Sequence, residues 1–258
     1  MMAGRLQDKV VVITGGGSGL GRALATRFVA EGARVLVTDR DEVSGQATVA
    51  ALADSAGGEA AFRRLDVTVE DDCAGAVAEA VERWGRLDVM VANAGIGSPG
   101  ALATLRREEW ERVLAVNLTG PFLCAKHAFR AMRAGGGAIL IMASVAGLAG
   151  APGLGAYGPA KAGAIELAQT LALEGARFNI RANALCPIWT ETPMVDAFIG
   201  GSALHDSAIM RERLLADIPL GRLGVPSDVA SAATFLASDE AAFISGIAFP
   251  IDGGHGAR

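Results

Sequence analysis

The sequence predicts an α/β fold in which a doubly wound parallel sheet of about seven strands carries helices on both faces. Short apolar runs at residues 10–13 and 35–37 are separated by a longer helical pattern at residues 19–31, which is the order of a βαβ unit. The apolar runs are continuous, as in parallel strands that are covered on both faces.

The same alternation continues to the end of the chain. Further strands are predicted at residues 60–64, 89–91, 138–142, 181–185 and 247–249. Helical periodicity covers residues 70–84, 106–133, 157–178 and 227–237. The 258 residues suit one large domain, so we predict a single domain over residues 1–258.

The segment after the sixth predicted strand differs from the rest of the chain. It begins with Pro187 and Pro193 and contains Gly200 and Gly201, and residues of both types interrupt regular structure. Long connections at strand ends are often functional. We therefore predict a mobile substrate lid at about residues 188–218.

Composition excludes several classes of partner. No apolar run reaches the roughly 18 residues of a membrane helix, and the net charge of −5 argues against nucleic acid or an anionic membrane as partner. The short polar N-terminus lacks a secretory pattern, so we expect a cytoplasmic protein. The three cysteines and three histidines show no metal-ligand spacing, so we expect buried thiols and no metal site.

A glycine-rich loop joins the first strand to the first helix, with the sequence Thr14-Gly15-Gly16-Gly17-Ser18-Gly19-Leu20-Gly21. Glycines let the backbone turn sharply and approach a pyrophosphate, whose charge meets the free N–H groups of the helix N-terminus. Asp39 ends the second strand about 20 residues later, where a carboxylate accepts hydrogen bonds from an adenosine ribose. Together these features indicate a Rossmann fold, although the glycines alone also fit a tight structural turn.

The choice between NAD and NADP depends on two adjacent residues. The carboxylate of Asp39 would repel a 2′-phosphate, which favours NAD. Arg40 keeps NADP open as the second possibility, because a guanidinium binds phosphate well.

Tyr157 and Lys161 lie four residues apart at the start of a predicted helix, hence on one face. Tyrosine has a reference pKa of about 10, and a neighbouring ammonium is expected to lower that pKa toward the working range of a general acid or base. Ser144 follows the strand at residues 138–142, where its hydroxyl can orient a substrate oxygen. Taken alone, the pair also fits a surface aromatic and a solvated charge.

These residues resemble the motifs of the classical short-chain dehydrogenase/reductase (SDR) family, over about residues 9–254. Residues 14–21 are similar to its T-G-x-x-x-G-x-G and residues 93–95 to its N-A-G, while Ser144, Tyr157 and Lys161 match its S…Y-x-x-x-K. The resemblance implies a nicotinamide-dependent oxidoreductase that moves a hydride to or from a carbon–oxygen bond.

The resemblance also implies roles for individual residues. Asn117 would join Ser144, Tyr157 and Lys161 as the fourth catalytic residue, bending its helix so that a water links Lys161 to solvent. Lys161 would also bind the nicotinamide ribose, and Asp66 would contact the adenine. The implied cofactor contacts are Gly15, Gly17, Ser18, Gly19, Leu20, Gly21, Asp39, Arg40, Asp66, Val67, Asn93, Ala94, Gly95, Tyr157, Lys161, Pro187, Ile188, Thr190 and Thr192.

The sequence departs from the family pattern at two places. The first Asn of the usual N-N-A-G is Ala92, which we expect to matter little. The usual P-G after the sixth strand is Pro187-Ile188, so a β-branched side chain is expected beside the nicotinamide, narrowing the pocket or shifting the loop. Thr192 aligns with a family threonine that holds the carboxamide or phosphate, and Thr190 is a second candidate for that role.

The residues expected to border the substrate are nearly all apolar. They are Ile96, Ser144, Val145, Ala146, Leu148, Tyr157, Ile188, Trp189, Met194, Phe198 and Ile199. No Lys or Arg occurs from residue 187 to residue 210, which argues against a phosphorylated or polycarboxylate substrate. We therefore predict a secondary alcohol or ketone of hydrophobic or alicyclic character as the substrate. The same side chains also fit simple packing of the lid.

Four other functions fit the sequence less well. A 3-oxoacyl-[acyl-carrier-protein] reductase would share every motif, but Asp39 disfavours its usual NADPH. A catalytically silent dinucleotide-binding sensor or scaffold would not need Asn117, Ser144, Tyr157 and Lys161 together. An epimerase or dehydratase of the extended SDR branch would usually carry T-G-x-x-G-x-x-G, and a zinc-dependent alcohol dehydrogenase would need grouped Cys and His ligands.

The resemblance further implies a homotetramer built on the helices at residues 106–133 and 157–178 and on the strand near Phe249. Apolar residues on more than one face of these helices indicate burial between subunits. They include Val113, Leu114, Phe122, Leu123, Ile165, Leu167, Leu171 and Leu173.

Overall fold

The structure, a computed structural model, describes residues 4–53, 57–200 and 207–257. Its strands are β1 Val10–Thr14, β2 Arg34–Asp39, β3 Glu59–Arg64, β4 Val89–Ala92, β5 Gly137–Met142, β6 Ile180–Pro187 and β7 Ala248–Ile251. They form one seven-stranded sheet in the order β3-β2-β1-β4-β5-β6-β7, and every neighbouring pair is parallel. The predicted fold class is confirmed.

The helices lie between the strands, and those predicted from periodicity are present with two differences in detail. They are α1 Gly19–Ala30, α2 Glu42–Leu52, α3 Glu70–Trp84, α4 Arg107–Leu114, α5 Gly120–Met132, α6 Tyr157–Gly175, α7 Pro193–Gly200, α8 Ser207–Ala216 and α9 Pro226–Ala237. The single helix predicted at residues 106–133 is divided into α4 and α5 by a π-helical turn, Ala115–Thr119. The helix predicted at residues 157–178 ends in a 3₁₀ turn, Ala176–Phe178.

An apolar layer covers each face of the sheet, which explains why the strands read as continuous apolar runs. Val10 and Val12 of β1 point into the layer formed with α3, α5 and α6, whereas Val11 and Ile13 point into the layer formed with α1 and α9. All four side chains are fully buried. Within the described ranges, no helix has the length and apolar character needed to cross a membrane.

The strand order reverses between β1 and β4: β2 and β3 follow on one side of β1, and β5, β6 and β7 follow on the other side of β4. At such a point the connections leave toward opposite faces and open a crevice beyond the carboxyl ends of the strands. Thr14, Asp39 and Met142 are the last residues of β1, β2 and β5, so they lie at this edge.

The segment predicted as a lid contains two helices, α7 and α8, and a small core of its own. Its buried apolar residues are Ile188, Ile199, Leu214 and Ile218, and Leu223, just beyond the segment, completes the cluster. Gly201 lies outside the described residues. Mobility of this segment stays a prediction.

The apolar residues named on the two long helices are less exposed than the sequence indicates. Val113, Leu123, Ile165 and Leu171 are buried within the chain itself, and they pack against its own sheet or helices. Phe122 and Leu173 remain exposed, at 46% and 83%. The expectation of an excess apolar surface therefore rests on fewer side chains than predicted.

Candidate active site

A cleft of about 380 Å³ lies beyond the carboxyl ends of the central strands. Near β2 and β3 its wall carries Asp39, Arg40, Asp41 and Asp66, and we call this the acidic end. On the side of β5 and β6 the wall is almost entirely uncharged, and we call this the apolar end. Its residues are Ile96, Val116, Met142, Ala143, Tyr157, Lys161, Pro187, Thr192, Pro193 and Met194.

The glycine loop opens onto the cleft between these two ends. Gly15 and Gly19 have left-handed backbone angles, with φ of 65° and 48°, which glycine adopts at little cost. A Cβ atom on Gly21 would lie 2.0 Å from the carbonyl oxygen of Gly15, so only glycine fits there. Helix α1 starts at Gly19 without a side-chain cap or an acidic residue in its first turn, and its free N–H groups suit an anion.

Asp39 joins the glycine loop to the start of α2. Its carboxylate accepts hydrogen bonds from the backbone N–H of Gly17 (2.9 Å) and of Asp41 (3.0 Å). Gly17 itself is turned toward Asp39 and is not part of the cleft wall. Because these contacts fix the carboxylate at the acidic end, Asp39 can accept further hydrogen bonds with its remaining lone pairs.

Asp66 lies at the same end and is also held by its own loop. Its carboxylate accepts hydrogen bonds from the hydroxyl of Thr68 (2.7 Å) and from the backbone N–H of the same residue (2.9 Å). The Thr68 hydroxyl is the main cause that lowers the pKa of Asp66. Asp66 is therefore an ionised acceptor at neutral pH.

The loop after β4 is tied to the end of β1. The hydroxyl oxygen of Thr14 accepts hydrogen bonds from the backbone N–H groups of Asn93 (3.0 Å) and Ala94 (3.1 Å). The side-chain amide of Asn93 donates to the carbonyl oxygen of Thr14 at 2.8 Å. Ala92, which replaces the usual first Asn, is buried in the core. The loop keeps its anchoring without that side chain.

Asn117 occupies the π-helical turn between α4 and α5 and is fully buried. Its amide donates to the carbonyl oxygen of Ile96 at 2.9 Å, and its own carbonyl accepts from the N–H of Ile96 at 3.1 Å. The widened turn matches the local helix distortion expected at this residue. Asn117 therefore holds Ile96 in the cleft wall.

Lys161 is almost completely buried, with 2% exposed surface. Its ammonium donates to the carbonyl oxygen of Met142 at 2.7 Å and lies 5.5 Å from the centre of the Tyr157 ring. Burial disfavours the charged form and lowers the pKa of Lys161 to about 8. This lysine therefore changes charge near the physiological range.

The pKa of Tyr157 moves opposite to the sequence-based expectation. Burial raises this pKa, and a hydrogen bond with Ser144 opposes the increase. Lys161 does not contribute the expected lowering: its ammonium lies over the face of the ring, 5.5 Å from the ring centre, and donates its hydrogen bond to Met142. The four-residue spacing predicted a lowered pKa for Tyr157, whereas the structure without cofactor gives a raised one.

Ser144 is placed by β6 as well as by its own strand. Its hydroxyl accepts a hydrogen bond from the N–H of Ala146 (3.2 Å) and donates to the carbonyl oxygen of Pro187 (3.4 Å). The sulfur of Cys186 accepts the backbone N–H of Ser144, and burial raises the pKa of that thiol to about 11. Sequence reasoning did not assign Cys186 to the site.

Most of the predicted site residues do line one cleft. Those in its wall are Gly15, Ser18, Gly19, Leu20, Gly21, Asp39, Arg40, Asp66, Val67, Asn93, Ala94, Gly95, Ile96, Tyr157, Lys161, Pro187, Thr192 and Met194. Residues of the wall that were not predicted are Asp41, Leu65, Val116, Met142, Ala143 and Pro193. Each of these is adjacent in sequence to a predicted residue, except Met142, which lies two positions before Ser144.

Ile188 and Thr190 point away from the cleft. Ile188 is 93% buried in the small core of the lid segment, since only 7% of its surface is exposed, and its backbone N–H donates to Ile251. The hydroxyl of Thr190 donates to the carbonyl oxygen of Ile188 at 2.7 Å. Both residues line a second cavity beside Val229. The Ile188 side chain therefore does not narrow the cleft. The cofactor contact of Thr190 stays a prediction, although its side chain lies outside the cleft wall.

The predicted substrate residues do not all line the cleft. Met194 belongs to the cleft wall, whereas Trp189 and Phe198 stack on each other with ring centres 5.0 Å apart and pack in the lid segment. Ala146 and Leu148 follow Ser144 in a 3₁₀ turn beside the site, and Leu148 is 46% exposed. In the described part of the chain, no group of three or more His, Cys, Asp or Glu residues is arranged to hold a metal ion.

Comparisons with known proteins agree with this geometry. Residues 15–255 match the family model described as "Enoyl-(Acyl carrier protein) reductase". This match and relatives that are 35–40% identical over almost the whole chain show that the chain belongs to the classical short-chain dehydrogenase/reductase family. The family implies a nicotinamide dinucleotide cofactor and an oxidoreductase that acts on alcohols.

The relatives match over almost their full length. The 2-(S)-hydroxypropyl-CoM dehydrogenase 3 of Xanthobacter autotrophicus is 38% identical over 255 residues, which are 98% of each chain. The cis-4-hydroxycyclohexanecarboxylate dehydrogenase of Sinomonas cyclohexanicum is 40% identical over 250 residues, 96% of each. The crystal structure of levodione reductase superimposes with a TM-score of 0.94 at 35% identity, covering 97% of this chain and 98% of that one.

The buried lysine predicts a pH dependence. With limiting reduced cofactor, kcat/KM for ketone reduction should fall as the pH rises through about 8, because Lys161 carries its proton below that pKa and loses it above. In Lys161→Arg the guanidinium stays charged, so the residual activity should lack this decline. Initial rates from about pH 6 to about pH 10 test this. The same decline in the arginine variant would show that another group causes it.

Proposed function

We propose that the chain transfers a hydride between NAD(H) and a neutral secondary alcohol or ketone of hydrophobic or alicyclic character, with Tyr157 as general acid and base. The observation that carries this proposal is the convergence of Tyr157, Lys161 and Ser144 at the apolar end of a cleft whose other end is acidic. Asn117 supports the same wall through Ile96.

The residues present fit a dinucleotide with an unphosphorylated ribose. The uncapped start of α1 and the glycines of the loop suit a pyrophosphate, and Asp39 and Asp66 offer carboxylate acceptors at the acidic end. Arg40 is the one cation in the described wall of that end, which also carries the three carboxylates of Asp39, Asp41 and Asp66. These charges favour NAD over NADP. When bound, the nicotinamide supplies the hydride or accepts it.

The chain's own residues would hold and move the proton. In alcohol oxidation, Ser144 and Tyr157 bind the substrate hydroxyl, and the Tyr157 oxygen takes its proton as the carbon loses a hydride. The Tyr157 oxygen can accept this proton only as a phenolate, and a charged Lys161 stabilises that starting phenolate, which burial alone disfavours. In ketone reduction, Tyr157 returns the proton to the substrate oxygen.

The electrostatics of the apolar end support a neutral substrate. Among the described residues of the cleft wall, Lys161 is the one charged group at this end. Arg211, which follows the cation-free stretch of the lid, forms an ion pair with Glu191. A substrate with a carboxylate or phosphate would therefore lack a free cation in the described wall.

A 3-oxoacyl-[acyl-carrier-protein] reductase is the second candidate, and one finding favours it. A relative from Thermotoga maritima that is named 3-oxoacyl-[acyl-carrier-protein] reductase FabG is 39% identical over 251 residues, 97% of this chain and 98% of that one. Asp39 opposes this candidate, because the NADPH of such reductases carries a phosphate that would meet the carboxylate. A catalytically silent sensor or scaffold would not need Asn117, Ser144, Tyr157 and Lys161 together.

Cofactor preference is tested at Asp39. Asp39→Asn removes the negative charge yet keeps an amide oxygen for Gly17 or Asp41, and it should shift the preference toward NADP by about tenfold or more. Adding Arg40→Ala to this variant should cancel the gain if the guanidinium binds the 2′-phosphate. The measurement is kcat/KM with each cofactor. Unchanged cofactor ratios in Asp39→Asn would contradict the assignment.

Substrate class is tested with a panel that differs in charge and carrier. We expect turnover of cyclohexanol-type alcohols and the matching ketones, weaker turnover of ring carboxylates and no turnover of 3-oxoacyl thioesters. Turnover is measured by the absorbance of the reduced nicotinamide. Tyr157→Phe should lose about 10²- to 10⁴-fold in kcat while still binding cofactor. Turnover of thioesters alone would favour the second candidate, and an active phenylalanine variant would contradict the role of Tyr157.

We also propose that the chain assembles as a homotetramer. The exposed side chain of Leu173 on α6, the exposed Phe122 on α5 and the open edge of β7 offer surfaces for contact between copies. Light scattering at micromolar concentration should show a tetramer, and Leu173→Glu should shift it toward smaller species. Leu173→Ala is the matched control, because it removes the apolar side chain without adding a charge. A monomeric native protein would contradict the proposal.

A further inference from the structure

Two buried cysteines from different helices meet beneath the acidic end of the cleft. The sulfur atoms of Cys73 on α3 and Cys124 on α5 lie 3.7 Å apart, and each residue is 1% exposed. The Cys124 thiol points at Cys73, whose own thiol donates to the carbonyl oxygen of Val67 at 3.7 Å. Val67 and its neighbour Asp66 belong to the cleft wall.

We propose that Cys73 and Cys124 are a reversible oxidation site, and that the disulfide they form weakens binding of the nicotinamide cofactor. The sulfurs are in van der Waals contact, whereas a disulfide bond is about 2.05 Å long. Closing it draws the two thiols together by about 1.7 Å. The effect on binding rests on the proposed cofactor role of the cleft, while the oxidation itself does not.

The packing around the pair explains why its closure would reach the cofactor. Gly120 lies one turn before Cys124, on the same face of α5. A Cβ atom on Gly120 would lie 2.8 Å from a methyl carbon of Val67, so the helix already touches this segment closely. A tightly packed interior transmits small shifts. Movement of Cys73 or α5 therefore displaces Val67 and the adjacent Asp66.

The chemistry requires a two-electron oxidant, and a peroxide is the class we name. The Cys73 sulfur attacks the O–O bond, forming a sulfenic acid and releasing one water. The Cys124 sulfur then attacks the Cys73 sulfur, forming the S–S bond and releasing the second water. The two thiols lose two electrons and two protons, and hydrogen peroxide becomes two waters.

The environment of the three thiols distinguishes their roles. The hydrogen bond from Cys124 lowers the pKa of Cys73, which favours Cys73 as the attacking sulfur. Burial raises the pKa of Cys186 to about 11, and in the described structure neither of the other cysteines is its hydrogen-bond partner. Oxidation is therefore directed to Cys73 and Cys124.

The experiment treats the full chain with hydrogen peroxide and measures thiols and cofactor binding separately. Of three cysteines, one should remain titratable after denaturation, and peptide mass spectrometry should find the Cys73–Cys124 bond. The Kd for NADH, measured by NADH fluorescence, should rise by on the order of fivefold or more. It should return to its original value after reduction with dithiothreitol. Cys73→Ser and Cys124→Ser should form no bond and keep their Kd under peroxide.

Cys73→Ala and Cys124→Ala repeat the test if the serine variants fold poorly, because alanine leaves no unpaired hydroxyl in the core. The proposal is overturned if the two cysteines remain reduced or oxidise singly, or if the bond forms and the Kd stays unchanged. If the reduced protein binds no NADH at all, the proposed function fails, while the thiol count still tests the oxidation site.

Discussion

The ammonium of Lys161 is the group around which the candidate active site is built. Taking a charge out of water is costly unless polar partners compensate. Its partner in the described structure is the carbonyl oxygen of Met142, at the end of β5, and its pKa falls to about 8. A lysine held in this state gains stability from any acceptor that enters the cleft, and it responds to the charge of its neighbour Tyr157. Burial therefore raises the free-energy cost of the Lys161 charge, and it also makes that charge sensitive to acceptors and to the charge of Tyr157.

Holding a lysine at this depth constrains the backbone around it. A Cβ atom on Gly147 would lie 2.6 Å from the backbone carbon of Lys161, and one on Gly95 would lie 2.7 Å from the side-chain oxygen of Asn117 and 3.5 Å from the ammonium. The loop after β4, the π-helical turn and the start of α6 thus meet with no spare volume. This explains why Asn117 is placed by a helix distortion: its amide must reach both backbone groups of Ile96 from a fully buried position.

The sheet, the glycine loop and the Tyr157–Lys161 pair could be predicted because each depends on local periodicity or spacing. Other features depend on contacts between distant segments. The division of α4 from α5, the contact of Cys186 with Ser144 and the inward rotation of Ile188 are set by tertiary packing. The predicted direction of the Tyr157 pKa shift was wrong for the same reason. Four-residue spacing shows that two side chains share a face, but not that the ammonium lies over the ring, nor how deeply both are buried.

The central claim is that one cleft holds a dinucleotide from its acidic end to Lys161, and a crystal structure of the chain with bound NAD tests it most directly. The account predicts adenosine ribose hydroxyls on the Asp39 carboxylate, the pyrophosphate at the start of α1, and the nicotinamide ribose within hydrogen-bond distance of Lys161. A cofactor bound elsewhere, or one that leaves Lys161 with Met142 as its sole partner, would contradict the account.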